Sequence, residues 1–204
     1  MFTASFWDER YGGTDRHWSG RPNAQLVAEI AGLASGRALD VGCGEGADVI
    51  WLAEQGWMVT AVDVSQVALD RGAAVAAEHG VADRITWKAV DAFEWAPPAS
   101  SFDLVSAQFM YLPTRAEVAA LHDRLAAAVR PGGHLLIVGH HPTDVATGLR
   151  SPHLAEMGFT GEDVAAQLGT TDWEPVFVGT RSRQQQHQDD LLTVADAVFH
   201  AVRR

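Results

Sequence analysis

The stretch ALDVGCGEGADVIWLAEQGWMVTAVDVS, residues 38–65, decides the fold. An apolar run ends in Asp40 and Val41, and glycines follow at 42, 44 and 46. A helical pattern then leads to a second apolar run that closes on Asp63. Strand, tight glycine turn, helix and strand are predicted in that order. In an open α/β sheet ligands bind beyond the carboxyl ends of the strands, where both the glycine turn and Asp63 fall.

Outward from this unit the alternation continues. Pro22 suits the first turn of a helix over about 22–33. Ser65 caps a helix that Gly80 ends, and RITWKAVD makes a third strand. FDLVSAQFM reads as the fourth strand. Thr114 and Glu117 form a capping box ahead of a helix that stops at Pro131-Gly132-Gly133. HLLIVG is the fifth strand, and a short helix covers about 161–168. WEPVFVGTRS and LLTVADAVFHAVRR are then two strands joined by RQQQHQDD, too short a link for a crossover helix, so this pair is antiparallel. The expected fold class is α/β: a Rossmann-like, doubly wound, mostly parallel seven-stranded sheet with an antiparallel C-terminal hairpin. One domain over 1–204 is expected, with 1–21 as an N-terminal lid and 22–204 as the core.

Composition narrows the partners. The chain has 204 residues with 26 acids against 15 bases, a formal net charge of −11. Such a surface repels phosphate polymers and anionic membranes, so a small molecule is the expected partner. No apolar run reaches the length of a membrane span, and the N-terminus lacks the order of a signal peptide. The expectation is a cytoplasmic protein, monomer or homodimer, with no nucleic acid and no membrane. Lys88 is the sole lysine and alanine is frequent, which suggests a high-GC bacterial origin. Cys43 is the sole cysteine, so no internal disulfide can form.

A dinucleotide reader uses G-x-G-x-x-G so that pyrophosphate rests on the helix end. Here the spacing is G-x-G-x-G, with the carboxylate of Asp40 just before it. A carboxylate there suits a ligand with a cationic end. Asp63, about twenty residues on, stands where an acid holds a ribose diol. A nucleoside with a cationic tail and no phosphates fits both.

LDVGCGEG, VDVS, VDAF, FDLVSAQFMYL and VRPGGHLLIV, in that order, resemble the class I S-adenosylmethionine-dependent methyltransferases. The resemblance implies S-adenosylmethionine as cofactor and a small-molecule methyl acceptor. It implies that Asp40, Gly42 and Gly44, with Cys43 between them, meet the methionine part. Asp63 would bind the ribose, Val64 would pack on adenine, and Asp91 and Ala92 would hydrogen-bond the ring. Gln108 would line the methionine end. Cys43 reads as a small buried residue, since a thiol nucleophile wants a nearby base.

The front segment FWDERYGGTDRHWSGRPN is rich in aromatics without a helical or alternating period. It is similar to the N-terminal segment of small-molecule methyltransferases of the thiopurine and tellurite-resistance types. Either it is a strap packed on the sheet or it is a lid that excludes water. Tyr11 and Trp18 are the expected lid residues, and Arg16 would meet the cofactor's carboxylate. His140, His141 and His17 are the candidate general bases, needed for an oxygen or neutral nitrogen acceptor but not for a soft sulfur, selenium or tellurium one. No metal-ligand spacing is present, and none is expected. QFMY stands where an N-P-P-Y-like tetrapeptide would mark amide or base nitrogen as acceptor. The competing functions are a non-catalytic adenosylmethionine-binding protein and a nucleotide-cofactor oxidoreductase, the second disfavoured by the glycine spacing.

Overall fold

A computed structural model describes the chain except residues 1, 2, 14–17, 111–113, 153–155, 188 and 189. Seven strands form one sheet in the order β3-β2-β1-β4-β5-β7-β6. They are β1 (Arg37–Val41), β2 (Met58–Asp63), β3 (Ile85–Ala89), β4 (Phe102–Gln108), β5 (Val129–His140), β6 (Trp173–His187) and β7 (Asp190–Arg203). The first five run parallel, and β7 pairs antiparallel with both β5 and β6. The predicted fold class is the observed one.

Side chains alternate across the strands and build a core on each face. Leu39, Val41, Val105, Leu135 and Ile137 pack with Leu121 and Leu125 of α5 (Arg115–Ala128) and Val164 of α6 (Gly161–Leu168). Ala38, Leu104, Leu136 and Val138 face the other way. They meet Leu26 and Ile30 of α2 (Ala24–Ile30), Val49 and Leu52 of α3 (Ala47–Glu54) and Ala76 of α4 (Gln66–Glu78). The chain leaves β1 toward β2 on one side and reaches β4 on the other, so strand order reverses at β1. The glycine turn after β1 sits over that reversal, where open α/β sheets bind ligands.

Both predicted caps form, but the Thr114–Glu117 capping box is half made, the Glu117 carboxylate accepting from the Thr114 hydroxyl rather than from its backbone N–H. Ser65 Oγ accepts from Ala68 N at 3.2 Å, and Thr114 Oγ1 from Glu117 N at 3.2 Å. Four further expectations need correction. The front segment is not without regular structure: α1 (Ala4–Tyr11) is a helix whose Thr3 cap accepts from Phe6 N at 3.3 Å. Trp7 and Tyr11 share a face, with ring centroids 6.0 Å apart, but Phe6 lies off it and Tyr11 is the one buried residue described in this short helix, so no longer period announces it. The second helix is shorter than 22–33, because Asn23 sits at its head as cap and the helix yields at Ala31. α5 ends at Ala128 rather than at Pro131, and β5 begins at once, with a register shift over the Pro-Gly-Gly segment. β6 continues through residues 183–187, which were expected to be the connecting turn.

Candidate active site

The glycine turn is pinned to β2 from below. Gly42 N and Cys43 N both donate to Val62 O, at 2.9 and 3.1 Å, and Gly44 N donates to Asp63 Oδ2 at 2.8 Å. Gly44 has φ +53°, and a Cβ there would stand 3.0 Å from the Tyr11 hydroxyl and 3.7 Å from the Trp18 ring. Only glycine suits both the backbone and the space. Gly46, at φ +77°, has a different reason to be glycine: an added Cβ would collide with the ring of Trp87, which packs under the start of α3.

Acceptor atoms converge on this turn. Asp63 Oδ1 accepts from Ser65 N at 2.9 Å, so each of its oxygens holds one amide and keeps a lone pair for a further donor. Among the described residues, Asp40 Oδ1 and Gln108 Oε1 are buried with no hydrogen-bond partner. Asp40 is 2% exposed and faces Ser106, its register partner on β4. Gln108 Nε2 donates to Ser106 Oγ at 3.1 Å. A donor-rich ligand with an ammonium group and ribose hydroxyls satisfies this set. A pyrophosphate, which offers only acceptors, does not. The residues present therefore fit S-adenosylmethionine.

The electrostatics agree. Burial foremost, then Asp48 and Asp63, pushes the Asp40 carboxyl well above its usual range, against an easing contact from Ser106. Burial also raises Asp63, opposed by the Ser65, Gly44 and Val64 amides. Asp48 on α3 is raised by burial and receives Asn23 N at 2.6 Å and Asn23 Nδ2 at 2.7 Å. Three crowded carboxylates make a site that gains from a cation. The same burial, with Asp63 and Asp40, raises the Cys43 thiol, so Cys43 is no thiolate nucleophile.

Val64 lies half-buried between Asp63 and the α4 cap. Asp91 is exposed beyond β3 and caps its own turn, with Phe93 N donating to Oδ1 at 2.8 Å. Ala92 follows it, and its carbonyl accepts from Arg124 Nη2 at 3.3 Å.

α1 docks on the head of α4. Asp8 Oδ1 accepts from Ser65 Oγ at 2.6 Å and Val67 N at 3.3 Å, placing a carboxylate at a helix N-terminus. Tyr11 is 4% exposed, and burial pushes its hydroxyl up to about 12. Trp18 is half exposed, with Nε1 donating to the Tyr11 hydroxyl at 2.9 Å and its backbone N donating to Glu45 Oε2 at 3.2 Å. Arg71 of α4 pairs with Glu45 at 3.1 Å and donates to Gly13 O. Arg16 and His17 lie outside the described residues.

The two described candidate bases, His140 and His141, stand at the end of β5. His140 Nδ1 is buried without a partner, and burial, then Arg150 and Arg183, lowers its pKa to about 3. His141 caps the short turn after β5, with Nδ1 accepting from Thr143 N at 3.3 Å and lying 2.7 Å from Thr143 Oγ1. Sequence reasoning missed the groups around His140. Phe109 stacks on it at 4.5 Å between centroids and holds φ +51°. Arg183 lies 5.4 Å from the Phe109 ring and donates to Asp196 Oδ2 at 2.8 Å, which also accepts from Gln25 of α2 at 3.0 Å. The left-handed Phe109 is the one local signal, and it is invisible in sequence.

Residues 38–133 match the family described as "Methyltransferase domain". A probable thiol methyltransferase 2 from Arabidopsis thaliana is 27% identical over 167 residues, spanning 72% of this chain and 74% of that one. The chain spans 43% and 53% of two further curated relatives. Among solved structures, the N-methyltransferase NodS from Bradyrhizobium japonicum, in complex with S-adenosylhomocysteine, superposes with TM-score 0.72 at 22% identity, covering 98% of each chain. TehB from Haemophilus influenzae gives TM-score 0.72 at 16% identity, covering 98% of this chain and 67% of that one. Those two likenesses speak for the fold, and the glycine turn, its acid and the family match speak for the site. Over residues 38–133 the chain is similar to the methyltransferase domain, and its fold is that of the solved methyltransferase NodS.

Proposed function

We propose that this methyltransferase serves a small-molecule acceptor that arrives as a soft anion, a thiolate foremost. The observation that supports the reading is a weak base: among the described histidines at the ligand edge, burial lowers His140 to about 3, a poor proton acceptor, and His141 Nδ1 accepts from Thr143 N. An alcohol needs a proton taken up as it attacks, and an ammonium needs one removed before it can attack. A thiolate needs neither, and Arg150 and Arg183 beside His140 favour negative charge there.

Asp40, Gln108 and Asp63 would hold S-adenosylmethionine, which when bound would supply a sulfonium methyl to the acceptor's lone pair, the C–S bonding pair returning to sulfur as S-adenosylhomocysteine is left. In this reading Asp63 receives the ribose hydroxyls, while Asp40 and Gln108 take the ammonium. Val64, Asp91 and Ala92 border the adenine. Tyr11 and Trp18 cover the glycine turn and keep water from the aligned reactants. The likeness to a thiol methyltransferase supports the acceptor class. Among the described residues no helix is long and apolar enough to cross a membrane. With a net charge of −11, we place the protein in the bacterial cytosol, as a monomer or homodimer acting without nucleic acid.

The test is release of S-adenosylhomocysteine with hydrosulfide, benzenethiol, a phenol and an amine as acceptors, alongside calorimetry with S-adenosylmethionine and NAD. Turnover is expected with the thiols, with a pH profile that follows the acceptor's own ionisation and survives His140→Phe. Preferred methylation of the amine or phenol, or a pH limb that vanishes in His140→Phe, would overturn the acceptor assignment. NAD binding without S-adenosylmethionine binding would overturn the cofactor.

A further inference from the structure

A cavity of about 160 Å³ lies between α5 and α6, with apolar walls from Val118, Ala119, Met157, Phe159 and Val164 and with Arg115, Asp163 and Gln167 also lining it. Its apolar walls and its size match a single aromatic ring, since a dry cavity of roughly 150 Å³ holds benzene. His122 and Phe159 also line a second void of about 10 Å³, with Met110, Ala107 and Val138. Met110 in turn rests on the glycine turn: a Cβ on Gly42 would stand 3.0 Å from its Cγ. His122 and Phe159 thus stand between the cavity and this void, and Met110 stands between the void and the cofactor loop. Met110 follows β4 by two residues and Phe159 packs on Gly139 near the end of β5, so the cavity opens beside the edge where methyl transfer takes place.

The walls are ordered from both sides. Arg115 Nε, at the head of α5, donates to Glu156 O at 2.6 Å and ties residues 156–159 across the mouth. His122 is buried edge-on to Phe159, at 5.1 Å and 84°. Burial lowers its pKa to about 4, so it lines the cavity as a neutral imidazole. An aromatic group fits the apolar walls, while Arg115, Asp163 and Gln167 leave room for a polar substituent.

We propose that this cavity receives the aromatic, non-reacting part of the methyl acceptor, with Met110 as the swinging side chain between the adjoining void and the glycine turn. The inference rests on the methyl-transfer reading and narrows the acceptor to an aryl thiol class. Methionine suits such a gate, being unbranched and adaptable against an aromatic face.

The chain's four methionines supply the test, because Met157 lines the cavity, Met110 is the gate and Met58 is exposed on β2. With carbon-13 methyl labels on methionine, thioanisole, the product expected from benzenethiol, is titrated into the full chain. Met157 and Met110 signals should shift together while Met58 stays fixed. Silent Met157 and Met110 signals would overturn the proposal. In turnover, Ala119→Leu should lower the ratio of kcat/KM for benzenethiol over hydrosulfide by roughly tenfold, the scale on which apolar pockets discriminate. An unchanged ratio in a folded variant would also overturn it. Thioanisole shifts at Met157 without methylation of any thiol would sink the acceptor reading and leave the cavity standing. Thiol methylation with no effect of ring or variant would do the reverse.

Discussion

Asp63 holds the glycine turn and the head of α4 at once, through Gly44 N at 2.8 Å and Ser65 N at 2.9 Å. Asp63→Ala strips both amides of their acceptor and removes the carboxylate proposed to hold the ribose hydroxyls. Loss of charge-assisted bonds costs on the order of 1.5–3 kcal/mol, or roughly tenfold or more in S-adenosylmethionine affinity by calorimetry. Unchanged affinity in a folded variant would refute the ribose role. Asp40 makes a sharper prediction through protons. Its folded pKa is raised, so its contribution to stability is whole below the unfolded value of 3.8 and is lost as pH rises through the folded one. A bound cation favours the ionised form and pulls that pKa down. S-adenosylmethionine binding should therefore release protons near the raised pKa and weaken as pH falls through it. Calorimetry in buffers of different ionisation enthalpy reads the release. Asp40→Asn should abolish it, while raising the melting temperature at neutral pH. Proton uptake on binding would contradict the assignment of Asp40 to the cationic end.

At the scale of elements, the front segment can be judged by what its removal would cost. Neither core contains a residue before Leu26, and Tyr11 alone is buried among the described residues of α1. Deleting residues 1–19 removes one buried aromatic, worth about 3–5 kcal/mol when truncated, and leaves both cores whole. The shortened chain should melt cooperatively at a lower temperature, yet lose turnover and hold cofactor poorly. Hydrogen exchange over residues 5–13 separates lid from strap: protection gained only with S-adenosylhomocysteine marks a lid, and equal protection in both states marks a strap. This element also shows where sequence legibility ends. Strands and capped helices of the sheet were readable because Ser65, Thr114 and the apolar runs act locally. α1 was not, since Trp7 and Tyr11 alone mark one face within eight residues, too short a run to read as a period. Nor was the length of β6. Residues 183–187 look like a turn by composition, but β6 is the sheet's edge strand and pairs only with β7, so polar residues there are solvated, not excluded. The glycine turn, Asp40, Asp63 and Gln108 could be found from motifs. Gln25, Phe109, Arg150 and Arg183 come to His140 from four separate parts of the chain, and only the folded topology joins them.

At the scale of the whole molecule, long-range and short-range charge would oppose each other over the proposed anionic acceptor. The chain carries a net charge of −11, which repels a thiolate from afar. Arg150 and Arg183 attract it at close range, near His140, although Arg183 is already paired with Asp196 at 2.8 Å. Salt separates the two, because the screening length falls from about 30 Å at 0.01 M to about 8 Å at 0.15 M. The diffuse repulsion acts over tens of ångströms and is screened in that interval. The contact attraction, in a partly buried pocket, is screened much less. Raising salt from 0.01 to 0.15 M should therefore increase kcat/KM for benzenethiolate, on the order of a few fold, the scale of modest electrostatic steering. For a neutral soft nucleophile such as dimethyl selenide, kcat/KM should stay nearly flat. A fall with salt for the thiolate alone would mean that the local guanidinium field governs capture. An equal response of both acceptors would point to an effect on cofactor or fold, and would remove the charge of the acceptor as a determinant of its entry.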